Sequence, residues 1–417
     1  MKKILSLLLF SALISCSGDL TNQELSKSKN NDLVEGSWHM NFQLSATNYV
    51  PINFTLTKID TLYRVEFSNA DEKILAKSVS VVNNKITIQD PVFNSWFEGI
   101  IVNSTTIKGN WYKEGKEYYI PFIANHGSSA RFVKSDNTKK TNTNVSGKWE
   151  VDFSKNNPEN HYQSIGQFQQ DDEYLTGTFM TETGDYRFLE GNVYGDSVYL
   201  SCFDGSHLFL FKALIKNDSL IGTFWSGTHW EEPWVAIRNE AFELTNPDSL
   251  TFLKDGFTEL AFTFPNINRD NVSLKDEKYK GKVVIVNIMG PWCPNCKDET
   301  AYLTQLYNIN HDKGLEIIAL SYDKTDDFEI AKQNIIKIKT FFNTDYDFLI
   351  AGKADKITSA KSLPMLNHIM SYPTTIFIDK KGEIRKIRTG FYGPSTGSYY
   401  LRYTQQTDDL IAKLLAE

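Results

Sequence analysis

The chain has 417 residues, of which 41% are hydrophobic and 23% charged, and its formal net charge is −7 at pH 7. This length predicts roughly two to four domains, each with its own hydrophobic core. The acidic balance, without any long run of lysine and arginine, argues against nucleic acid as a partner.

The N-terminus resembles a bacterial export signal. Lys2-Lys3 precedes an apolar run over 4–14, which is too short to span a bilayer. The run leads into Leu-Ile-Ser-Cys at 13–16, which resembles a lipobox, where a signal peptidase cuts before a diacylated cysteine. This resemblance predicts removal of residues 1–15 and a lipid anchor on Cys16, with more than one acyl chain for stable attachment. An ordinary secretory signal with a chance cysteine is the alternative.

Two segments of the chain begin alike. VEGSWHMNF at 34–42 and VSGKWEVDF at 145–153 share Val, Gly, Trp and Phe at the same spacing. Short runs in which apolar and polar residues alternate follow each segment, such as NFTLT at 53–57 and SVYLS at 197–201, and turn-forming pairs such as Asn83-Asn84 separate them. Alternation with a period of two between regular turns predicts antiparallel strands. We therefore expect two similar antiparallel all-β units, each a barrel or a sandwich.

After about residue 240 the pattern changes to strands that alternate with helices. KVVIVNIM at 282–289 and LEIIALS at 315–321 are almost continuously apolar, as expected of strands covered on both faces. The remaining predicted elements are helices over 294–311, up to 342, over 353–363 and over 407–415, and strands over 346–351, 374–379 and 384–390. This alternation predicts an α/β domain with a mixed central sheet.

The motif Trp292-Cys293-Pro294-Asn295-Cys296 lies where the first of these strands gives way to a helix. The N–H groups at a helix start and the helix dipole favour a thiolate on Cys293, which is the species that attacks a disulfide. Cys296 follows within about one helical turn and can attack the resulting mixed disulfide. Pro294 suits the first helical position. The motif therefore predicts redox chemistry.

Other chemistries for the cysteines are less well supported. A structural zinc site usually has four ligands, and the sequence has no second cysteine pair and no matching histidine spacing, so we expect no metal. A structural disulfide or an inert site is the remaining alternative. Cys202 stands alone, and we expect it to be a small buried hydrophobic residue, with an intermolecular bond as the alternative.

Three further segments accompany the motif, namely KVVIVN at 282–287, KDE at 297–299 and SYPTTIFID at 371–379. With them, residues from about Leu260 to the C-terminus resemble the thioredoxin fold. Within that fold they resemble the TlpA/ResA-like family of extracytoplasmic thiol–disulfide oxidoreductases. The resemblance implies that Cys293 is the nucleophile and Cys296 the resolving cysteine, and that their disulfide is the only redox group, without another cofactor.

The resemblance also implies roles for residues around the cysteines. Pro373 matches the cis-proline that faces the two cysteines in this family, and its neighbour Tyr372 joins Pro294 and Asn295 in shaping the site. An ordinary trans-proline is the alternative for Pro373. Trp292 is expected to shield the cysteines and to shape the substrate surface, or else to fill the core.

A carboxyl group is the other expected partner of the cysteines. Glu299 matches an acidic position of the family and would take the proton of Cys296 or tune both thiols, unless it is merely a solvated helix residue. Asn287 stands where thioredoxin has a buried aspartate, and an amide cannot relay a proton, which gives Glu299 more weight. Ala301 replaces a proline that kinks the first helix in many relatives, so we expect a straighter helix.

These observations predict a thiol–disulfide oxidoreductase on the cell envelope, lipid-anchored to a bacterial membrane and facing the periplasm or the exterior. Its expected partners are the thiols and disulfides of exported proteins, which it would reduce, and an electron donor in the membrane or periplasm. One alternative is a thiol peroxidase, although Gly290 stands where peroxiredoxins have threonine or serine. The other is a binding or adaptor lipoprotein with a vestigial redox domain. Aromatic residues at 225–234 form either a ligand surface or core.

The sequence also predicts how the chain is divided. The expected parts are a signal peptide (1–15), a polar tether (16–33), a first β unit (34–134), a linker (135–144), a second β unit (145–240), a connector (241–258) and a thioredoxin-like domain (259–417).

Overall fold

The computed structural model of the protein describes residues 32–114, 117–128, 130–134 and 143–417. The expected signal peptide, the expected lipidation site Cys16, and most of the expected tether and linker lie outside the described residues. Within those ranges, no helix has both the length and the apolar character that a membrane span requires.

The first sheet is antiparallel and open. Its nine strands are β1 (Gly36–Gln43), β2 (Tyr49–Ile59), β3 (Leu62–Asn69), β4 (Glu72–Leu75), β5 (Ser78–Val82), β6 (Lys85–Gln89), β7 (Ser95–Asn103), β8 (Thr106–Lys113) and β9 (Tyr118–His126). The strands lie in the order β4-β3-β2-β1-β9-β8-β7-β6-β5, so the two edge strands follow each other along the chain. The sheet is therefore a half-barrel with its open seam between β4 and β5.

The second sheet is antiparallel and closed. Its strands are β10 (Gly147–Phe153), β11 (Tyr162–Asp171), β12 (Tyr174–Thr181), β13 (Gly184–Asp185), β14 (Leu189–Tyr194), β15 (Ser197–Phe203), β16 (Leu208–Lys216), β17 (Ser219–Ser226) and β18 (Trp230–Arg238). Strand β11 pairs with both β10 and β12, which closes the sheet into a barrel. The expected pair of all-β units is thus a half-barrel followed by a closed barrel.

The two sheets repeat one structural unit. Strand β1 lies between β2 and β9, and β10 lies in the same way between β11 and β18. Trp38 Nε1 donates to the carbonyl of the residue four positions earlier at 2.9 Å, and Trp149 Nε1 does the same at 2.9 Å. Gly36 and Gly147 begin the two strands at φ 119° and 116°, a left-handed conformation that glycine adopts without strain.

The closed barrel supplies part of the core of the half-barrel. Phe203, Leu208 and Leu210, from the hairpin of β15 and β16, are buried among the core residues of the first sheet. The ring of Phe203 lies 5.2–6.0 Å, between centroids, from the rings of Phe42, Phe67, Phe97 and Trp111. The two β units therefore share one hydrophobic core at this hairpin.

The remainder of the chain forms a mixed sheet with helices. Its elements are β19 (Thr263–Pro265), β20 (Asn271–Ser273), β21 (Val283–Met289), α1 (Pro294–Asn310), β22 (Leu315–Asp323), α2 (Phe328–Phe342), β23 (Asp347–Lys353), α3 (Lys356–Ser362), β24 (Thr374–Ile378), β25 (Ile384–Thr389) and α4 (Ser398–Ala416). The five-stranded sheet has the order β23-β22-β21-β24-β25, with β21, β22 and β23 parallel to one another. This is the expected α/β thioredoxin-like domain, with apolar clusters on both faces of the sheet.

Two elements of this domain differ from the prediction. Helix α4 begins at Ser398, nine residues before the expected start, directly after Gly397 with φ 56°. Its first turns contain serine, threonine and three tyrosines, which are weaker helix formers, and packing of the buried Tyr403 stabilises them. The hairpin of β19 and β20 was not expected because strands of three residues are too short to show alternation.

Candidate active site

The two cysteines of the motif lie at the end of the central strand of the mixed sheet. All seven residues of β21 are buried, and the chain leaves the sheet after Met289 and enters α1 at Pro294. Cys293 is the N-cap of this helix, and its Sγ accepts a hydrogen bond from the backbone N–H of Cys296 at 3.3 Å. Both cysteines are thiols, and an N–H group of the first helical turn points at the sulfur of Cys293.

The two thiols differ in exposure. Cys293 retains 7% exposure, whereas Cys296 is completely buried. Burial raises the pKa of the Cys296 thiol well above its usual range, and the hydrogen bond with Cys293 raises it further, while the N–H of Gly290, 3.5 Å from the sulfur, lowers it. The geometry suits Cys293 to meet an incoming disulfide and Cys296 to react from inside the site.

A loop from the other side of the sheet faces these thiols. The Tyr372–Pro373 peptide bond is cis, as the family resemblance implies. Cys293 Sγ donates to the backbone carbonyl of Tyr372 at 3.3 Å, and the ring of Trp292 meets the ring of Tyr372 edge to face at 5.7 Å. The structure thus brings together Cys293, Trp292 and the proline loop, and Trp292, half-buried, lies beside the cysteines.

Glu299 is completely buried, so the alternative of a solvated helix residue is wrong. Its carboxylate accepts hydrogen bonds from Asn287 Nδ2 at 2.6 Å, Thr375 Oγ1 at 2.9 Å and Tyr403 Oη at 2.6 Å. Burial raises the pKa of Glu299, and the three hydrogen bonds offset only part of that effect. The negative charge of Glu299 in turn raises the pKa of Cys296. A titratable carboxyl therefore lies within electrostatic range of the buried thiol.

Sequence reasoning missed two members of this network. Thr375 lies within the SYPTTIFID segment at 371–379, and its position two residues after Pro373 is the only sequence signal that could have placed it at the site. Tyr403 lies in the part of α4 that was not predicted, and no local pattern points to it. Helix α1 runs without interruption from Pro294 to Asn310.

The closed barrel contacts the active site directly, which the sequence did not predict. Asn295 Nδ2 donates to the carbonyl of Asp185 at 3.2 Å, and Ser371 Oγ donates to the carbonyl of Thr183 at 2.7 Å. Gly184 packs so closely that a Cβ there would collide with the side chain of Asn295. On the other side, Ser206 Oγ donates to the carbonyl of Trp292 at 3.1 Å. Two loops of the barrel therefore border the CxxC motif and the proline loop.

A buried ion cluster joins all three parts of the protein beside the motif. Arg187, from the closed barrel, pairs with Glu72 of the half-barrel and with Asp298, two residues after Cys296. Arg187 is almost completely buried, and its two partners are largely so. Removing the arginine would leave two largely buried carboxylates without their ion-pair partner.

The remaining candidate features are Cys202, the aromatic residues at 225–234 and possible metal ligands. Cys202 is a thiol and is completely buried in the core of the closed barrel, as expected for a small hydrophobic residue. Among the aromatic residues at 225–234, Trp234 belongs to that core, but Trp230 is 41% exposed. Within the described ranges, no group of three or more histidine, cysteine, aspartate or glutamate residues is arranged to hold a metal ion.

The C-terminal part of the chain is similar to known proteins. The profile of the AhpC/TSA family matches residues 258–387. The thiol-disulfide oxidoreductase ResA of Bacillus thuringiensis subsp. konkukian is 33% identical over 123 residues, which are 30% of this chain and 62% of that protein. ResA of Geobacillus kaustophilus is 30% identical over 135 residues, 32% of this chain and 69% of that protein. The chain thus spans about three fifths of the first of these relatives.

Solved structures give similar matches. The thioredoxin domain of a thiol-disulfide oxidoreductase from Bacteroides vulgatus is 25% identical, with 37% of this chain and 99% of that chain covered and a TM-score of 0.28. A secreted thiol-disulfide isomerase from Corynebacterium glutamicum is 18% identical, with 42% and 99% covered and a TM-score of 0.32. On its thioredoxin-fold domain and its ResA relatives, the chain belongs to the family of ResA-like thiol–disulfide oxidoreductases.

Proposed function

We propose that the protein is a membrane-tethered thiol–disulfide oxidoreductase that reduces disulfides of exported proteins. The observation that carries the proposal is the pair of thiols at the start of α1, with Cys293 facing the proline loop and Cys296 buried behind it. This asymmetry matches the two roles that disulfide exchange requires, an attacking thiolate and an internal thiol that resolves the intermediate.

The reaction has two exchange steps. The thiolate of Cys293 attacks one sulfur of the substrate disulfide, forms a mixed disulfide, and the other substrate sulfur leaves as a thiolate. Cys296 then loses its proton, attacks the sulfur of Cys293, and releases the second substrate sulfur. Two electrons pass from the dithiol to the substrate, and the protein ends with a Cys293–Cys296 disulfide. An external dithiol donor in the membrane or periplasm restores the reduced form, and no other cofactor takes part.

Glu299 takes part in the second step as the acceptor of the Cys296 proton. The raised pKa of Cys296 means that the thiol does not ionise readily by itself, and its burial excludes solvent bases. Glu299 lies in the same buried region, and its raised pKa makes it a stronger base than an ordinary carboxylate. The carboxyl then returns the proton to the leaving thiolate or to solvent.

The location of the protein is part of the proposal. The lipobox-like segment supports acylation of Cys16 and attachment to a bacterial membrane, with the redox domain on its periplasmic or external side. Growth of the producing cells with an alkyne-bearing fatty acid tests this. The wild-type protein is expected to incorporate the label and Cys16→Ser is not, and equal labelling of both proteins would contradict the anchor.

The proposed activity is tested by reduction of insulin with dithiothreitol as electron donor. Wild type is expected to accelerate reduction, Cys293→Ser to be inactive, and Cys296→Ser to accumulate a mixed disulfide with the substrate. Cys202→Ala is the matched control, because it removes a cysteine from the core of the barrel and should leave the rate unchanged. Equal rates for wild type and Cys293→Ser would overturn the proposal. Selective consumption of hydrogen peroxide instead of insulin disulfides would favour a peroxidase.

A further inference from the structure

A large cavity lies between the closed barrel and the thioredoxin-like domain. Its volume is about 890 Å³, a size typical of ligand sites in proteins. Most of its wall comes from one end of the closed barrel, and the thioredoxin-like domain contributes Met370 and Lys324. Lys113, the last residue of β8, brings the half-barrel to the same cavity.

This cavity is adjacent to the redox site. Met370 stands three residues before Pro373, in the loop whose carbonyl at Tyr372 accepts from Cys293 Sγ. On the opposite side, Lys324 Nζ lies 5.0 Å from the ring centroid of Trp292, the residue before Cys293. A polypeptide that reaches Cys293 along the proline loop therefore extends into the cavity within a few residues of its own cysteine.

Basic side chains gather on one part of the wall, around His229. Lys113, His207, His229 and Lys324 all line the cavity, and the charges of the other three lower the pKa of His229 after the larger effect of burial. Two of these groups already have an anionic partner. Lys324 pairs with Glu114 at 2.7 Å, and His207 pairs with Asp204 at 3.0 Å.

Lys113 differs from these two basic groups. It is half-buried, and no hydrogen bond or ion pair involves its ammonium group within the described ranges. Burial is the main cause that lowers the pKa of Lys113, and the charge of Lys324 adds to it, while the charges of Glu114 and Asp204 offset part of this effect. An ammonium group that is partly desolvated and makes no direct ion pair is an efficient binding group for a carboxylate.

Aromatic side chains form another part of the wall. Tyr186, Phe209 and Phe224 line it from inside the barrel, and the 41% exposed ring of Trp230 lies at its rim. Glu232 lies among them, but its two oxygens accept from Ser154 Oγ at 2.7 Å and Tyr162 Oη at 2.8 Å. Two other carboxylates line the cavity, Glu182 and Glu243, and Glu243 pairs with Lys148 at 2.6 Å. The aromatic part of the wall thus suits an apolar side chain, and the basic part around His229 suits an anion.

We propose that this cavity is a substrate subsite that selects disulfide-bonded polypeptides with an acidic residue close to the reacting cysteine. Lys113 binds the carboxylate, and the aromatic wall holds a neighbouring apolar side chain. The inference rests on the proposed reductase function and adds its substrate class. It also gives the β units a role, because they contribute most of the residues that contact the substrate next to its cysteine.

The test uses three quenched fluorescent peptides that each contain one disulfide and differ only beside one cysteine, where they carry aspartate, asparagine or lysine. Dithiothreitol supplies electrons, and kcat/KM is measured for each peptide. The full-length protein is expected to prefer the aspartate peptide over the asparagine peptide by about tenfold, as a hydrogen-bonded charge pair provides, and to use the lysine peptide least. In Lys113→Gln this preference should fall to about twofold or less.

Two further variants complete the design. Lys216→Gln removes an exposed lysine of the closed barrel that does not line the cavity, and it should keep the full preference. Lys324→Gln is the second probe if Lys113→Gln does not fold, and it too should reduce the preference. Equal use of the aspartate and asparagine peptides by the wild type, or an unchanged preference in Lys113→Gln, would overturn the subsite. Failure of the wild type to reduce any peptide would overturn the reductase function itself.

Discussion

Replacing Glu299 with glutamine separates the chemical role of this carboxyl group from its structural role. Thr375 and Tyr403 both donate to Oε1, which the introduced amide retains. The introduced NH₂ group would face Asn287 Nδ2, which donates to the carboxylate at 2.6 Å. However, Asn287 Oδ1 has no hydrogen-bond partner within the described ranges, so a half-turn of this amide provides an acceptor, at the loss of the 2.9 Å hydrogen bond from Asn287 Nδ2 to Thr375 Oγ1. The fold is therefore expected to accept Glu299→Gln.

The amide cannot accept a proton, and the resolving step should show this. A positioned general base contributes about 10²–10⁴-fold to a rate. Because Cys296 is completely buried, water does not replace the lost base. We expect the attack of Cys296 on the mixed disulfide to slow by about 100-fold, which corresponds to about 2.7 kcal/mol of activation free energy. The first attack, by Cys293, should change much less.

The same substitution should make the fold more stable at higher pH, although it slows the resolving step. A carboxyl group with a raised pKa, such as Glu299, stabilises the fold fully below its unfolded-state pKa of about 4.3. That contribution is lost as the pH rises through the folded-state pKa. Glutamine has no such loss, so the free energy of unfolding of Glu299→Gln should increase relative to that of the wild type as the pH rises from about 4 through the folded-state pKa of Glu299.

The assay is a single-turnover reaction of the pre-reduced protein with a disulfide peptide, quenched with acid, in which mass spectrometry quantifies the mixed disulfide. Urea unfolding at several pH values gives the stability. Glu329→Gln is the control, since it changes an exposed carboxylate that pairs with Arg269 at 3.0 Å. A resolving rate within about threefold of the wild-type rate would refute the role of Glu299 as a base.

Three other substitutions test the structure around the site. Arg187→Met should lower the free energy of unfolding, measured in urea, by about 3–5 kcal/mol. The control Arg64→Met, which removes an exposed ion pair, should lower it by less than about 1 kcal/mol. Equal losses in the two variants would contradict the ion cluster. Phe203→Ala should lower it by about 3–5 kcal/mol and increase the binding of a hydrophobic dye, whereas unchanged stability would exclude this ring from the shared core. Tyr403→Phe removes the donor 2.6 Å from Glu299 and should raise the pKa of that carboxyl. The pH midpoint of the resolving step should then move upward, and a lower midpoint would refute this coupling.

Local chemistry accounts for what the sequence predicted. The placement of Cys293 at a helix start followed from an apolar strand, a proline and a change of periodicity, all within about fifteen residues. The repeat of the β units is visible in the sequence because the same glycine and tryptophan begin both units. Each glycine has a positive φ, and each tryptophan donates to the carbonyl four residues earlier. Such features depend on near neighbours, so a single sequence contains them.

Contacts between distant segments explain what the sequence did not predict. The hydrogen bond between Asn295 and Asp185 joins residues 110 positions apart, and the one between Ser371 and Thr183 spans 188 positions. The pattern of apolar and polar residues along the chain does not indicate which loop of the barrel contacts which part of another domain. For the same reason, the sequence presented His229 and Trp230 only as part of an aromatic run, and the cavity that they line depends on how three units pack together.

The placement of Phe203 has a consequence for how the chain acquires its structure. The half-barrel ends at His126, yet its core is completed by an aromatic ring 77 residues further along the chain. During synthesis from the N-terminus, part of the apolar core of the first sheet therefore stays uncovered until the hairpin of β15 and β16 has emerged. A fragment that ends before this hairpin is expected to be prone to aggregation, and a useful truncation of this protein must keep the two β units together.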